Sequence, residues 1–330
     1  MTRPEDRRHR KGRAAERGIA LMLVLWVMIV LMVVVLSFAA LTRGETSAAL
    51  AFRMSAEKRF LAEAAIERGI MEIVYRGVNR NQALILEGRE VWRLDGTAYY
   101  GKLGGGSYRV SIIDESGKIG INALTDTTGI VLKNLLIQFG AAPEKADIIV
   151  DSILDWKDGD LLHRLNGAED EYYGSLPNPY KPRNAPFETL EELLLVRGMD
   201  ADILYGSGDR QGIFPFVTVA PKADKINVGA APRPVLMALP GMTVDAADRI
   251  VEHRRAAEIR GLEDVRDLVG GIYAQLAPYA GVSESGSYSI AAVGYHEEEK
   301  KGHAIAATVA FDNPPGYRII YYKSPSGVKP

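Results

Sequence analysis

The densest chemistry in this 330-residue chain lies in residues 155–173, DWKDGDLLHRLNGAEDEYY, where six carboxylates stand against two basic side chains. Trp156, Tyr172 and Tyr173 are interleaved with them. The segment runs on through Ser175 to Pro186, too rich in proline for regular structure. Carboxylates this close repel one another unless a cation neutralises them. An all-oxygen cluster suits Ca2+, which takes six to eight oxygen ligands. The spacing is not that of an EF-hand, and a solvated acidic loop is the competing reading. A long loop inside a compact domain is either functional or disordered.

Other chemistry is sparse. The five histidines, His9, His163, His253, His296 and His303, have no metal-type spacing. The absence of cysteine excludes disulfides, thiolate zinc sites and a cysteine nucleophile. No G-x-S-x-G, P-loop or H-E-x-x-H motif occurs. Asp155 and Asp158 could form an acid/base pair, but nothing else points to a substrate site. The chain therefore reads as a non-enzyme, with a metal-dependent hydrolase as the weakest option.

The loop sits inside a duplication. Lys118-Ile119-Gly120-Ile121 resembles Lys225-Ile226-Asn227-Val228. Gly140 with Ala146-Asp147 and Ile149-Val150 matches Gly241 with Ala247-Asp248 and Ile250-Val251. Leu190-Glu191-Glu192-Leu193 and Gly198 match Leu262-Glu263-Asp264-Val265 and Gly270. Each copy reads as a short helix, a glycine turn, a second helix and a third, Leu-Glu-rich helix. Copy one inserts residues 155–186 between its helices. Leu239-Pro240-Gly241-Met242, followed by Ala247, Ile250 and Arg254, resembles a helix-hairpin-helix. In DNA-binding versions the turn holds a phosphate, but here Thr243 stands where a second glycine is usual. Arg249, Arg254, Arg255 and Arg260 flank the turn. The chain beyond residue 18 is acidic overall, which opposes a phosphate partner.

Around this helical middle the pattern is β-like. Residues 107–113 and 118–122 read as a hairpin about the turn 114–117. Residues 287–295, 303–311 and 317–322 read as strands, separated by a charged turn at 297–301 and by 313–316.

The N-terminus supplies the anchor. Residues 19–40, IALMLVLWVMIVLMVVVLSFAA, carry no charge. At ~1.5 Å rise per residue the run covers the ~30 Å hydrocarbon core of a bilayer. Residues 1–18 hold seven basic and three acidic side chains, which favours a cytoplasmic N-terminus with the bulk across the membrane. The run is long for a cleaved secretory signal. A plain anchor is one reading. A prepilin-type leader, cut after Gly18 to leave Ile19 first, is another. A helical stem follows from Thr42 to about Tyr75, with Phe52, Phe60, Leu61, Ala64, Ala65, Ile70, Ile73 and Val74 as its apolar positions.

Taken together, these residues resemble the type II secretion system minor pseudopilin K family, GspK. The resemblance rests on Arg17-Gly18-Ile19 with Leu23 where related pseudopilins have Glu, and on Asp155-Trp156, Asp158 and Asp160. It continues through Asn166, Glu169 and Tyr172, Pro186, Leu190–Leu193 and Val196–Met199, Ile226–Val228 and Leu239–Met242. Gly229 departs from the family's usual Asn-x-Asn. The resemblance implies an α+β architecture: a transmembrane and stem helix, and a pilin-like antiparallel sheet interrupted by a large helical insertion. The expected divisions are a leader at 1–18, a span at 19–41, stem and first strands at 42–122, the insertion at 123–283, and closing strands at 284–330. It also implies structural calcium, with Asp155, Asp158, Asp160, Glu169 and Asp170 as ligands. Processing between Gly18 and Ile19 by prepilin peptidase is implied as well. The implied partners are the minor pseudopilins I and J in an inner-membrane, periplasm-facing pseudopilus tip, with no nucleic acid. The alternative is a membrane-tethered DNA-uptake protein using its helix-hairpin-helix repeats.

Overall fold

The computed structural model describes residues 12–78, 92–220, 225–296, 301–313 and 316–326. Most of the expected leader, residues 297–300 of the charged turn and the tip of the 313–316 turn lie outside them. The chain divides into two units, residues 1–57 and 58–330.

Helix α1 (Gly12–Val78) contains no proline, and its apolar stretch is long enough to cross a membrane. In the first unit its side chains from Ile19 to Leu36 are exposed, as suits a helix whose solvent is lipid.

In the second unit Leu61, Ala62, Ala65, Ile66, Ile70 and Ile73 form one buried stripe at helical spacing. The stripe packs on the first strands, β1 (Asp95–Leu103) and β2 (Gly106–Asp114), and on the last strands described below. Val110 and Ile112 meet it from β2. Phe60 does not share this face: it is 66% exposed and lies about 140° round the helix from Ala65. Phe52, 78% exposed, is in phase with Ile70 but lies in the first unit, outside the stripe.

The insertion begins with β3 (Ile119–Gly120), α2 (Gly129–Gln138), α3 (Pro143–Lys157) and the one-turn α4 (Asp170–Gly174). Next come α5 (Ala201–Tyr205), the β4 (Gly206–Ser207) and β5 (Arg210–Gln211) pair, and β6 (Val217–Thr218). Copy two holds β7 (Ile226–Asn227), α6 (Arg233–Ala238), α7 (Val244–Ala256), α8 (Leu262–Val269), α9 (Tyr273–Leu276) and β8 (Ala280–Gly281). The chain then returns through β9 (Ser287–His296), β10 (His303–Asn313) and β11 (Gly316–Lys323).

The main sheet runs β1-β2-β9-β10-β11, antiparallel throughout. β2 lies beside β9, so the helical region enters and leaves between neighbouring strands. Residues 118–122 are not the partner of 107–113. That partner is β1, within residues 76–106, whose sequence is a polar stretch with the scattered aromatics Trp92, Tyr99 and Tyr100. Trp92 stacks on Tyr99 at 4.6 Å, and the Tyr99 hydroxyl accepts from the Arg93 amide at 2.7 Å, which fixes the start of β1.

The duplication is physical. β3 pairs in parallel with β6, and β7 pairs in parallel with β8. Each copy is thus closed by the same two-residue clasp. Gly140 and Gly241 take φ of 95° and 77° in equivalent turns, a region that favours glycine. The third element differs: residues 190–195 form a 3-10 helix where copy two has α8. One core spans both copies, including Leu132, Leu135, Ile149, Ile153, Leu236, Ala247 and Ile250. Asn134 Nδ2 on α2 donates to the Ala238 carbonyl on α6 at 2.9 Å.

Candidate metal centre

Helix α3 delivers the first carboxylates. Its buried side includes Ile149, Ile153 and Trp156, which place Asp155 in the interior and leave Asp158 at the C-terminal cap. Trp156 is held edge-on by Tyr173 at 5.2 Å and packed by Phe187 at 6.2 Å. This aromatic wall ties the helix end to α4 and to the residues after the loop.

Asp155 is fully buried. Its Oδ1 accepts from Arg164 Nη1 at 2.7 Å, and its carboxylate takes the Arg164 amide at 3.1 and 3.3 Å. Burial pushes its pKa up, and the Arg164 bonds pull it back. Arg164 also reaches Asp158 Oδ2 at 2.8 Å and Asp126 Oδ1 at 2.7 Å, holding the Asp126 carboxyl below the usual range. Gly167 sits so close that a Cβ there would lie 1.7 Å from Asp155 Oδ2. Asp151 Oδ2 accepts from the amide and side chain of Asn166, both at 3.0 Å. Arg197 donates to the Gly167 carbonyl at 2.9 Å. The loop is therefore built around buried charge.

Of the five expected ligands, three converge. One oxygen each from Asp158, Asp160 and Glu169 lie within 4.8 Å of one another. Asp155 and Asp170 stand apart from that group. Asp155 is committed to Arg164, and Asp170 accepts from Lys181 Nζ at 2.8 Å. Glu169 is 5% exposed, yet neither of its carboxylate oxygens has a hydrogen-bond partner, and Asp158 Oδ1 is in the same condition. Burial, then the charges of Asp155, Asp158, Asp160 and Asp170, push Glu169 up to about 7. Buried acceptors left unmade are costly. Three hard oxygen groups with unused lone pairs suit a hard dication such as Ca2+ and not a soft metal.

Arg164, Asp126, Gly167 and Asn166 do as much for this site as the carboxylates. Asp126 lies far from the loop in sequence, so only the fold brings it in. Arg164 could have been suspected from its place as one of two basic residues in the acidic run. Lys157 points elsewhere: its Nζ donates to the carbonyls of Ile121, Asn122 and Leu124 at 3.3, 3.1 and 2.5 Å, and burial lowers it to about 8.

Two of the four arginines flanking the copy-two hairpin, Arg254 and Arg249, have structural engagements. Arg254 is 8% exposed, donates to the carbonyls of Val228 and Ala231 at 3.3 and 2.7 Å, and faces Asp95 at 3.3 Å. Arg249 donates to the Leu268 carbonyl at 2.8 Å. Thr243 caps α7, accepting from the Ala246 amide at 3.2 Å, so the residue replacing the second glycine serves the helix.

Comparison with known proteins agrees with this architecture. Family models described as type II secretion system protein K match residues 117–222 and 226–286, together just over half of the chain. The chain is 33% identical over 154 residues to the type II secretion system protein K of Dickeya chrysanthemi, covering 44% of this chain and 40% of that protein. With the protein of the same name from Pseudomonas aeruginosa the identity is 29% over 212 residues, 62% of this chain and 60% of the relative. The alignments thus span 40% and 60% of the length of these two relatives. A crystal structure of the GspK-GspI-GspJ complex from the enterotoxigenic Escherichia coli type 2 secretion system holds a chain of the same fold. Its TM-score is 0.57 at 19% identity, covering 87% of this chain and 99% of that one. On the two family matches, set on a duplicated helical insertion within an antiparallel sheet, this chain belongs to the type II secretion system protein K family.

Proposed function

We propose that the protein is a minor pseudopilin at the tip of a type II secretion pseudopilus, where it helps to initiate assembly and export across the outer membrane. The observation that carries this reading is helix α1. The uncharged run of residues 19–40 and the Leu61–Ile73 stripe that packs on the antiparallel sheet belong to one helix. A subunit built this way is anchored in a membrane and can pack its helix among others like it. The inner membrane is the expected location, with residues 1–18 cytoplasmic and the folded second unit periplasmic. Prepilin peptidase would cut between Gly18 and Ile19. Leu23, in place of a carboxylate, removes one axial contact, which suits a terminal subunit. The minor pseudopilins I and J are the expected partners, and the fold neighbour is itself part of a GspK-GspI-GspJ complex. The role is that of a scaffold, with no reaction to catalyse.

Calcium is the expected structural cation. Asp158, Asp160 and Glu169 fit it through their converging oxygens and the unmade hydrogen bonds of Glu169. When bound, the ion supplies positive charge that neutralises the acidic loop; Arg164 already does so for Asp155.

The test is N-terminal sequencing of the mature protein, joined to co-purification with pseudopilins I and J. A start at Ile19 and a stable ternary complex are expected. A start at Met1 or beyond Ala40, or no complex, would sink the reading.

A further inference from the structure

Asn166-Gly167 is the only Asn-Gly step in the chain. Glycine has no Cβ to restrict its backbone, so in this dipeptide the glycine nitrogen is freest to attack the asparagine side-chain carbonyl. The fold requires both residues where they stand. A Cβ at 167 would lie 1.7 Å from Asp155 Oδ2, so the position takes glycine. Asn166 sets its backbone amide and its Nδ2 on one oxygen, Asp151 Oδ2, each at 3.0 Å, which ties the loop back to α3.

The same contacts hold both reacting groups in place. Attack needs Asn166 Cγ brought onto the Gly167 nitrogen in a near-attack geometry, and it needs that nitrogen to give up its proton. The Asn166 side chain is committed to Asp151. The Gly167 amide donates to the Arg164 carbonyl at 3.0 Å, and the Gly167 carbonyl accepts from Arg197 Nη1 at 2.9 Å. Gly167 is buried besides. The asparagine amide and both sides of the glycine must be released before the ring can form, so local opening of the loop sets the rate.

From these contacts we infer that Asn166 is a deamidation site latched shut by Asp151, and that its conversion disables the acidic loop. Once the loop opens, the Gly167 nitrogen loses its proton and bonds to Asn166 Cγ. The Cγ–Nδ2 bond breaks, and the side-chain nitrogen takes up a proton and leaves as ammonia. One water then opens the five-membered imide, giving OH to a carbonyl carbon and hydrogen to the ring nitrogen. Opening at Cγ leaves aspartate; opening at the backbone carbonyl leaves isoaspartate, with one more methylene in the main chain. Water is the only co-reactant. Either product replaces a donor amide by a carboxylate beside Asp151, where like charges repel. The tie to α3 is then lost in a stretch already crowded by carboxylates.

The full chain, held in phosphatidylcholine nanodiscs, is incubated at pH 8. The tryptic peptide that contains Asn166 is followed by mass spectrometry for replacement of NH2 by OH. Conversion is expected to run at least tenfold faster for the chain unfolded in urea than for the folded chain. Asp151→Asn and Asp151→Ala, checked as folded by circular dichroism, should raise the folded-state rate in that order, because a neutral acceptor holds Asn166 less tightly than a carboxylate and a methyl group does not hold it at all. The alanine variant should convert at least threefold faster than the parent; if it does not fold, the asparagine variant decides alone. Asn166→Asp, the product made directly, should melt below the parent. No conversion at Asn166 in urea overturns the site. A parent-like rate in the folded Asp151 variants overturns the latch. An Asn166→Asp chain that melts with the parent overturns the loss of the loop.

Discussion

Asp114 and Ser285 are 171 residues apart in sequence, and the Ser285 hydroxyl donates to Asp114 Oδ1 at 2.6 Å. The amides of Ser285 and Ser116 donate to the same oxygen at 3.2 and 2.9 Å. Asp114 ends β2 and Ser285 lies two residues before β9, so this buried carboxylate joins the two ends of the insertion where they leave and rejoin the sheet. Burial pushes its pKa up, and the three donors counter that.

Ser285→Ala should therefore cost about 1.5–3 kcal/mol, the usual worth of a hydrogen bond to a charged group. Urea unfolding should show a lower midpoint with an unchanged slope. In a double-mutant cycle with Asp114→Asn, a coupling below about 0.5 kcal/mol would argue against a direct latch.

Gly167→Ala should disrupt the acidic loop, because the new methyl group would overlap Asp155 Oδ2. Overpacking of this kind costs about 1–3 kcal/mol. The Asp155–Arg164 pair would separate first, which thermal unfolding and the chemical shift of the Arg164 amide would both report.

The pH dependence follows from Glu169. Its pKa in the ion-free folded chain, about 7, lies above the ordinary 4.5. Between those values the folded state holds the proton more tightly than the unfolded one. Ion-free stability should therefore rise as pH falls from about 7 toward 4.5. Calcium affinity should move the opposite way, falling up to tenfold per pH unit below 7 because the ion competes with that proton. Calorimetry at pH 8 and pH 6 checks both signs.

Glu169→Gln separates the two effects. Without calcium the variant should unfold at a temperature equal to or above that of the parent at pH 8, since an unpartnered buried charge has been removed. With millimolar calcium the parent should gain stability as RT ln(1 + [L]/Kd), and the variant should gain far less. Equal calcium-induced shifts would show that Glu169 is not a ligand.

The stem face can be checked with two substitutions. Ile66→Ala should cost about 2–5 kcal/mol, since Ile66 is 4% exposed in the sheet-packing stripe. Phe60→Ala, at a side chain 66% exposed, should stay within about 0.5 kcal/mol.

Much of the architecture was legible from local pattern. The charge-free run from Ile19 to Ala40, the strands from Ser287 onward and the turns at Gly140 and Gly241 each follow from composition over a few residues. The pairing of residues 107–113 with 118–122 was misread, because alternation marks a strand without naming its neighbour. The Gly104 turn lay in a stretch with too little apolar periodicity to reveal β1. Residue type alone puts Phe60 on the packed face, while helix phase puts it on the other side; Phe52 is in phase with Ile70 but lies outside the residues that pack on the sheet.

The acidic loop divides the same way. The sequence by itself determined that carboxylates crowd residues 155–171 and that the helical region is built twice, and it raised a bound cation beside a solvated loop as the two ways to settle that charge. Those are properties of composition and repetition along the chain. Only the tertiary structure decided which carboxylates meet. It gave Asp155 to Arg164 and Asp170 to Lys181, left Glu169 buried without a partner beside Asp158 and Asp160, and brought Asp126 in from another element. The physical reason is that charge pairing falls off over a few ångströms of space. Sequence spacing does not fix those distances once the chain has folded back on itself.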